Sequence, residues 1–177
     1  MRSKRRSCGR LVLVGLPLSL CCAVLAFVLA LHAAPRPDLY GKAGFSRIFL
    51  DRQDRVLRIT LAPDGAYRIF TPLTAMPPEL MEATLLYEAR SFYRHPGVNP
   101  LALLRSVAQM ALGGRRMGGS TISMQVVRLT RKFSTASIPG KLRQIWQALV
   151  LERHYGKDEI LEAYLNLAPY GANVEGV

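Results

Sequence analysis

Acidic residues are scarce in this 177-residue chain, and one long stretch has none at all. Lys and Arg number 24 against 12 Asp and Glu, which gives a formal charge of +12. Residues 89–151 contain no carboxylate but carry ten basic side chains: Arg90, Arg94, Arg105, Arg115, Arg116, Arg128, Arg131, Lys132, Lys141 and Arg143. This balance fits nucleic acid, anionic lipid or a phosphate-bearing substrate, and charge alone does not choose among these partners.

Cysteine is also rare, because the three cysteines are Cys8, Cys21 and Cys22. The chain beyond them therefore has no disulfide within its own domain, and no spacing resembles a zinc site. Repeats and low-complexity segments are missing as well. These absences favour one ordinary globular domain behind an N-terminal segment.

The N-terminal segment combines a basic tail with an apolar run, since residues 11–31 carry no charge. A helix of that length crosses a bilayer core of about 30 Å, and basic residues before it favour a cytoplasmic N-terminus. The alternative is a cleaved signal peptide, whose apolar core is shorter, at about 7–15 residues. We predict a cytoplasmic tail over residues 1–10, an uncleaved anchor over residues 11–34, and export of the remainder.

Residues 35–75 are predicted to form a linker and a small β region. Alternating β-branched residues indicate strands at residues 46–50 and 56–61, and Pro63-Asp64-Gly65 is a strong turn signal. A third strand over residues 66–70 would complete a meander. We expect this region to space the following domain from the membrane.

From Pro77 onward the periodicity becomes helical, so residues 76–177 are assigned to a mainly α domain. The pattern predicts a helix that opens at Pro77 and further helices over residues 101–112, 120–129, 138–155 and 159–167. Ser120 and Thr121 are the expected cap of the third helix, and Asp158 is the expected cap of the last.

Glu88 is the last acidic residue before the cationic stretch. Met81, Leu85, Glu88 and Phe92 share one helical face, because they are spaced by four, three and four. An apolar face near a helix C-terminus predicts a raised pKa for Glu88, as a general base near neutral pH requires. The alternative is a Glu at a frayed helix end with its carboxylate in water.

A glycine-rich, dibasic loop over residues 113–119 leads directly into Ser120. Backbone N–H groups exposed by glycines, followed by a helix N-terminus, are typical of an anion site. Arg115 and Arg116 strengthen that interpretation. An ordinary mobile loop has the same composition, so the pattern leaves both possibilities open.

Three sequence motifs occur in order along this region. Residues 88–97 match E-D-x-x-F-x-x-H-x-G except at Ala89, and residues 118–125 match G-x-S-T-x-x-Q-Q except at Met124. Lys157, Tyr164 and Asn166 match K-x-x-x-x-x-x-Y-x-N, whereas R-K-x-x-E is matched only weakly, with Gln144 at its glutamate. Together these motifs resemble the glycosyltransferase half of class A penicillin-binding proteins (glycosyltransferase family 51), and are similar to the 1C subgroup.

The resemblance implies a lysozyme-like, mainly α fold, anchored in the inner membrane by one helix with the catalytic domain in the periplasm. It implies lipid II and the growing glycan strand as substrates, with membrane lipid and other cell-wall synthesis proteins as further partners and no nucleic acid. Glu88 would act as the base in an inverting glycosyl transfer that releases undecaprenyl diphosphate. Such a leaving group needs cations, whereas glycosidases need a second carboxylate to protonate an alcohol.

The resemblance also assigns residue roles. Phe92, His95 and Gly97 would hold the turn after Glu88. The substrate-binding residues would be Ser120, Thr121, Gln125, Arg115, Arg116, Lys141, Arg143, Lys157, Tyr164 and Asn166. A divalent metal assists the diphosphate in some relatives, but Ala89 and Gln144 replace two carboxylates here, so no metal ligand is assigned.

Two alternatives share the same fold. A lytic, glycan-cleaving enzyme is disfavoured by the cationic stretch. A truncated or degenerate, non-catalytic relative is the stronger alternative, because the chain stops before the family's last transferase signature and before any Ser-x-x-Lys. We therefore expect an N-terminal fragment whose transferase domain is incomplete.

Overall fold

The computed structural model describes residues 4–88, 91–111, 120–131 and 137–177, with side chains omitted for residues 4–18, 87–88 and 106–111. The chain divides into two compact units, Met1–Pro35 and Arg36–Val177. The first unit contains one helix, α1 (Lys4–Ala33). Across the part of the chain that is described, no helix is both long enough and apolar enough to cross a membrane. The anchor over residues 11–34 and the tail over residues 1–10 stay predictions.

The second unit is mainly helical, as predicted. Its helices are α2 (Pro78–Glu88), α3 (Pro100–Ala111), α4 (Ile122–Arg131), α5 (Ile138–His154) and α6 (Lys157–Leu167). Short 3₁₀ turns occur at Leu73–Ala75 and Phe92–Arg94. The strands are β1 (Ile48–Leu50), β2 (Val56–Ile59), β3 (Pro169–Gly171) and β4 (Val174–Glu175). Each predicted helix is therefore present, with ends that differ by a few residues.

The β region contains one predicted hairpin, in which β1 pairs with β2 in antiparallel register. The predicted third strand over residues 66–70 was wrong. Tyr67 instead makes an isolated bridge to Val174, with its N–H 2.7 Å from the carbonyl oxygen of Asn173. The physical reason is Arg68, which is only 2% exposed and forms an ion pair with the partly exposed Glu175. That pairing commits the segment to β4.

The core of the second unit is centred on α4 and α6, which pack against each other, while α5 packs on α4. Ile122, Met124 and Val126 of α4 are fully buried, as are Ile160 and Leu165 of α6. Such dense apolar burial is the main stabilising term for a domain of this size. Leu39 and Met76 join the same core. Residues 36–75 and the helices therefore form one compact unit.

The cap of α6 differs from the predicted one. Gly156 is the N-cap, and its N–H donates to Glu159 over 2.7 Å, so the carboxylate of Glu159 satisfies the free helix terminus. Asp158 instead accepts a hydrogen bond from the Tyr93 hydroxyl at 2.9 Å. The prediction that Asp158 caps this helix was wrong, because a tertiary contact engages its side chain.

Candidate active site

Ser120 and Lys141, two of the predicted site residues, meet where α4 and α5 begin. Lys141 Nζ donates to Ser120 Oγ at 2.8 Å and to Gln144 Oε1 at 3.0 Å. Gln144 is 1% exposed, and its amide nitrogen donates to the carbonyl of Met124 at 2.6 Å. The neutral Gln144 thus orients the Lys141 ammonium without cancelling its charge.

The electrostatics around Lys141 favour an incoming anion. Burial and, secondarily, the positive charge of Arg128 lower the pKa of Lys141 below its ordinary value. Among the described side chains, none of the ion pairs involves Lys141. A partly buried ammonium beside a second cation is stabilised when an anion binds between or near them.

Thr121 links the first two motifs. Its Oγ1 accepts the N–H of Met124 at 3.3 Å, which is an N-cap of α4, and donates to the carbonyl of Gly97 at 2.5 Å. The side chain is 4% exposed. Thr121 therefore positions the start of α4 against the turn after α2, and its proposed contact with substrate stays a prediction.

The turn that follows α2 is closely packed. Phe92 is 1% exposed, and the carbonyl of the buried His95 accepts a hydrogen bond from Lys157 Nζ at 2.7 Å. Gly97 has φ +85°, and a Cβ there would lie 2.7 Å from Glu152 Cγ and 2.9 Å from the carbonyl oxygen of Ala148. These contacts give all three motif residues a packing role.

Lys157 belongs to a second polar group, away from the Lys141 contacts. Its ammonium donates to Glu152 at 2.7 Å as well as to the His95 carbonyl, and it lies 4.5 Å from the Phe92 ring centroid. No described hydrogen bond joins it to Ser120 or Lys141. The structure therefore places this predicted phosphate ligand inside an internal network.

Tyr164 and Asn166 lie on the buried face of α6, at 9% and 0% exposure. The Asn166 amide nitrogen donates to the carbonyls of Thr71 and Glu162, at 2.8 and 2.9 Å, and its oxygen accepts the Thr71 N–H at 2.8 Å. Asn166 thus fastens the segment before α2 onto α6. Among the described contacts, Asn166 makes no hydrogen bond to Ser120 or Lys141.

The remaining predicted residues are only partly described. Gln125 is partly buried on α4, and Arg143 is exposed on α5. Glu88 ends α2, as predicted, but its side chain lies outside the described residues, and so do Ala89, Arg115 and Arg116. Within the described residues, no group of three or more His, Cys, Asp or Glu side chains is arranged to hold a metal ion.

Two residues with roles at this site were not singled out from the sequence. Arg128 acts electrostatically on Lys141, and the only signal was its membership of the cationic stretch. Glu152 is a carboxylate that contacts both Ser123 and Lys157. The sequence feature that could have drawn attention to Glu152 is its position as the first acidic residue after the acid-free stretch.

Comparison with known proteins agrees with the motifs. Residues 53–177 match the Transglycosylase family. Penicillin-binding protein 1C of Escherichia coli K12 is 44% identical over 115 residues, which cover 64% of this chain and 15% of that protein. Penicillin-binding protein 1B of the same organism is 32% identical over 136 residues, covering 76% of this chain and 16% of the relative.

A third relative aligns with nearly the whole chain. Penicillin-binding protein 1A of Rickettsia conorii is 30% identical over 176 residues, which cover 94% of this chain and 21% of the relative. The chain thus spans 15–21% of the length of these three relatives. The predicted resemblance to class A penicillin-binding proteins is confirmed. Because the match covers well over half of its residues, the chain belongs to the Transglycosylase family.

Proposed function

We propose that this chain acts in a peptidoglycan glycosyltransferase, which polymerises lipid II into glycan strands with release of undecaprenyl diphosphate. The observation that carries the proposal is the Lys141 ammonium, held by Ser120 and Gln144 beside the charge of Arg128. Family membership supplies the reaction class. The contacts around Lys141 support a diphosphate site at this position.

The proposed chemistry needs one base and several cations. Glu88 takes the proton of the acceptor 4-hydroxyl as that oxygen bonds to the anomeric carbon of the growing strand. The bond from that carbon to the diphosphate breaks on the opposite face, so the configuration inverts. The diphosphate leaves with the bonding electron pair as an anion, and cations stabilise the charge that develops on it. Protonation of the leaving group is therefore unnecessary.

The placement of the described residues supports this division of roles. Glu88 is the last residue of α2, and the C-terminal end of a helix raises the pKa of a carboxyl placed there, as a base working near neutral pH requires. Lys141 and Ser120 lie at the N-terminal ends of α5 and α4, whose free N–H groups favour anions. The proposed base and the proposed leaving-group cations thus lie on different elements.

We extend the proposal to location and partners. The uncharged run of residues 11–31 would anchor the protein in the inner membrane, with the Transglycosylase domain in the periplasm beside its lipid-linked substrate. Other proteins of cell-wall synthesis would be its partners. Fusion of a reporter enzyme active only in the periplasm to Val177 tests this arrangement, and an inactive fusion would contradict it.

Conversion of purified lipid II to glycan strands in detergent, by the protein with any residues that follow Val177 included, tests the proposed reaction. Glu88→Gln is expected to lower the rate by about 10²–10⁴-fold, the usual contribution of a general base. Glu82→Gln is the matched control, because Glu82 lies exposed on the same helix. Retained polymerisation by Glu88→Gln would refute the assignment of the base. Release of soluble fragments from preformed glycan, without polymerisation, would instead favour a lytic enzyme.

A further inference from the structure

Glu152 is a buried carboxylate among the segments that carry the family motifs, although no motif includes it. Its side chain is 8% exposed, on the inner face of α5. It follows directly after the acid-free residues 89–151, so it is the first carboxylate after Glu88 along the chain. A buried carboxylate requires compensating contacts, and those contacts indicate what it does.

The Glu152 side chain contacts residues of all three motifs. One carboxylate oxygen accepts a hydrogen bond from Ser123 Oγ, and Ser123 is fully buried on α4 within the second motif. The carboxylate also accepts from Lys157 Nζ at 2.7 Å, and Lys157 begins the third motif. Its Cγ lies 2.7 Å from the position that a Cβ on Gly97, the last residue of the first motif, would take.

Lys157 carries the effect of Glu152 to the turn after α2. The same ammonium donates to the His95 carbonyl at 2.7 Å and lies 4.5 Å from the Phe92 ring centroid. A cation over an aromatic face is attracted by the ring, and the attraction strengthens when solvent is excluded. The Lys157 side chain is 20% exposed. The Lys157 ammonium therefore contacts both the His95 carbonyl and the Phe92 ring, and Glu152 is the carboxylate that binds this ammonium.

We propose that Glu152 is a positioning residue, which fixes the turn over residues 92–97 through Lys157 and thereby places Glu88 at the end of α2. This inference rests on the proposed function, because it assigns Glu88 the role of base. Glu152 is not a second acid in the reaction, since Ser123 and Lys157 occupy its carboxylate and the side chain is buried.

Removal of the Glu152 charge would leave the Lys157 ammonium partly buried without its counter-ion. Lys157 would then favour solvent, since an unpaired buried charge is unstable. The His95 carbonyl and the Phe92 ring would lose their shared partner. Because a displacement of about 1 Å at a reacting group costs about 10²-fold in rate, a loosened turn would lower kcat. Substrate binding near Lys141 would change little.

The test compares Glu152→Gln, Glu152→Asp and Glu82→Gln in the full chain, with two readouts. Hydrogen exchange of the backbone amides of residues 91–97 reports the turn, and lipid II polymerisation reports kcat and KM separately. For Glu152→Gln we expect exchange at least about tenfold faster, kcat lower by about 10- to 100-fold and KM within about threefold of wild type. Glu152→Asp keeps the charge and should recover part of both losses, whereas Glu82→Gln should match wild type.

A double variant tests the route through Lys157. If Glu152 acts through that ammonium, Glu152→Gln in a Lys157→Met background should cause little further loss of kcat, because coupled residues are not additive. Fully additive losses would overturn the route.

The other outcomes also decide the matter. Unchanged exchange over residues 91–97 in Glu152→Gln would overturn the inference, and so would faster exchange with unchanged kcat. If Glu152→Gln does not fold, wild-type exchange and kcat in Lys157→Met would overturn it equally, because that variant removes the proposed route. If the wild-type protein, with any residues that follow Val177 included, does not polymerise lipid II, the proposed function and the catalytic part of this inference fail together. The exchange data still decide whether Glu152 fixes the turn.

Discussion

Gly97→Ala is expected to destabilise the domain strongly, because two independent costs add at this position. Gly97 has φ +85°, a conformation that costs an L-residue about 1–2 kcal/mol. The new Cβ would also lie 2.7 Å from Glu152 Cγ and 2.9 Å from the carbonyl oxygen of Ala148. Overpacking of this kind typically costs a further 1–3 kcal/mol or so. We therefore expect a loss of about 2–5 kcal/mol in the free energy of unfolding.

Gly65→Ala is the matched control for the backbone term alone. Gly65 has φ +84°, and nothing lies within 4 Å of the position that its Cβ would take. Its substitution should cost only the conformational term, about 1–2 kcal/mol. Urea unfolding of both variants, followed by circular dichroism, measures the difference directly. If Gly97→Ala costs no more than Gly65→Ala, the close packing of Glu152 and Ala148 against Gly97 does not constrain the fold.

Three further predictions concern charged and titratable groups. Burial and, secondarily, the positive charge of Lys157 lower the pKa of His95 below its ordinary value of 6.5. The neutral His95 side chain therefore contributes stability that is present above pH 6.5 and is lost as the pH falls toward the pKa of the folded state. Urea unfolding at pH 7.5 and 5.5 should show this loss, and His95→Gln should reduce it; an unchanged loss would contradict the reasoning. Lys141→Met should lower the rate of lipid II polymerisation at least about tenfold, whereas Lys141→Arg should retain more activity. If Lys141→Met and the wild type polymerise at equal rates in a gel assay, the proposed diphosphate site is contradicted. Arg68→Met should cost about 1–3 kcal/mol in urea unfolding, because it removes a buried guanidinium that bonds Glu175, Asp64 and the Gly44 carbonyl, and Glu175→Gln in that background should add little; additive costs would show that the two side chains are not coupled.

Local sequence signals predicted the helices well, because each signal acts within a few residues. Pro78 at the start of α2 and Thr121 before α4 are cues of this kind. The path of residues 66–70 could not be predicted in the same way. It depends on the partner of Arg68, and Glu175 lies 107 residues further along the chain. Turn chemistry alone favoured a hairpin continuation, which the ion pair between Arg68 and Glu175 overrides.

The candidate site shows the same division between local and distant causes. The motifs located Ser120 and Lys141, which the structure brings into contact. They also marked Lys157 as a phosphate ligand, but its described partners are Glu152 and the His95 carbonyl. An acid on an inner helix face gives no local sign of its partner, so the position of Glu152 in this network had to come from the fold.

The amide at position 144 has a consequence for how substrate reaches the site. A glutamate there, 3.0 Å from Lys141 Nζ, would neutralise the ammonium before any ligand arrived. With Gln144 the unit charge remains available to steer an approaching anion by long-range attraction. Such steering decays over a Debye length of about 8 Å at physiological ionic strength. At the proposed diphosphate site, capture of the anion should therefore slow as salt rises, and its rate would depend on ionic strength more steeply than in a relative with glutamate at this position.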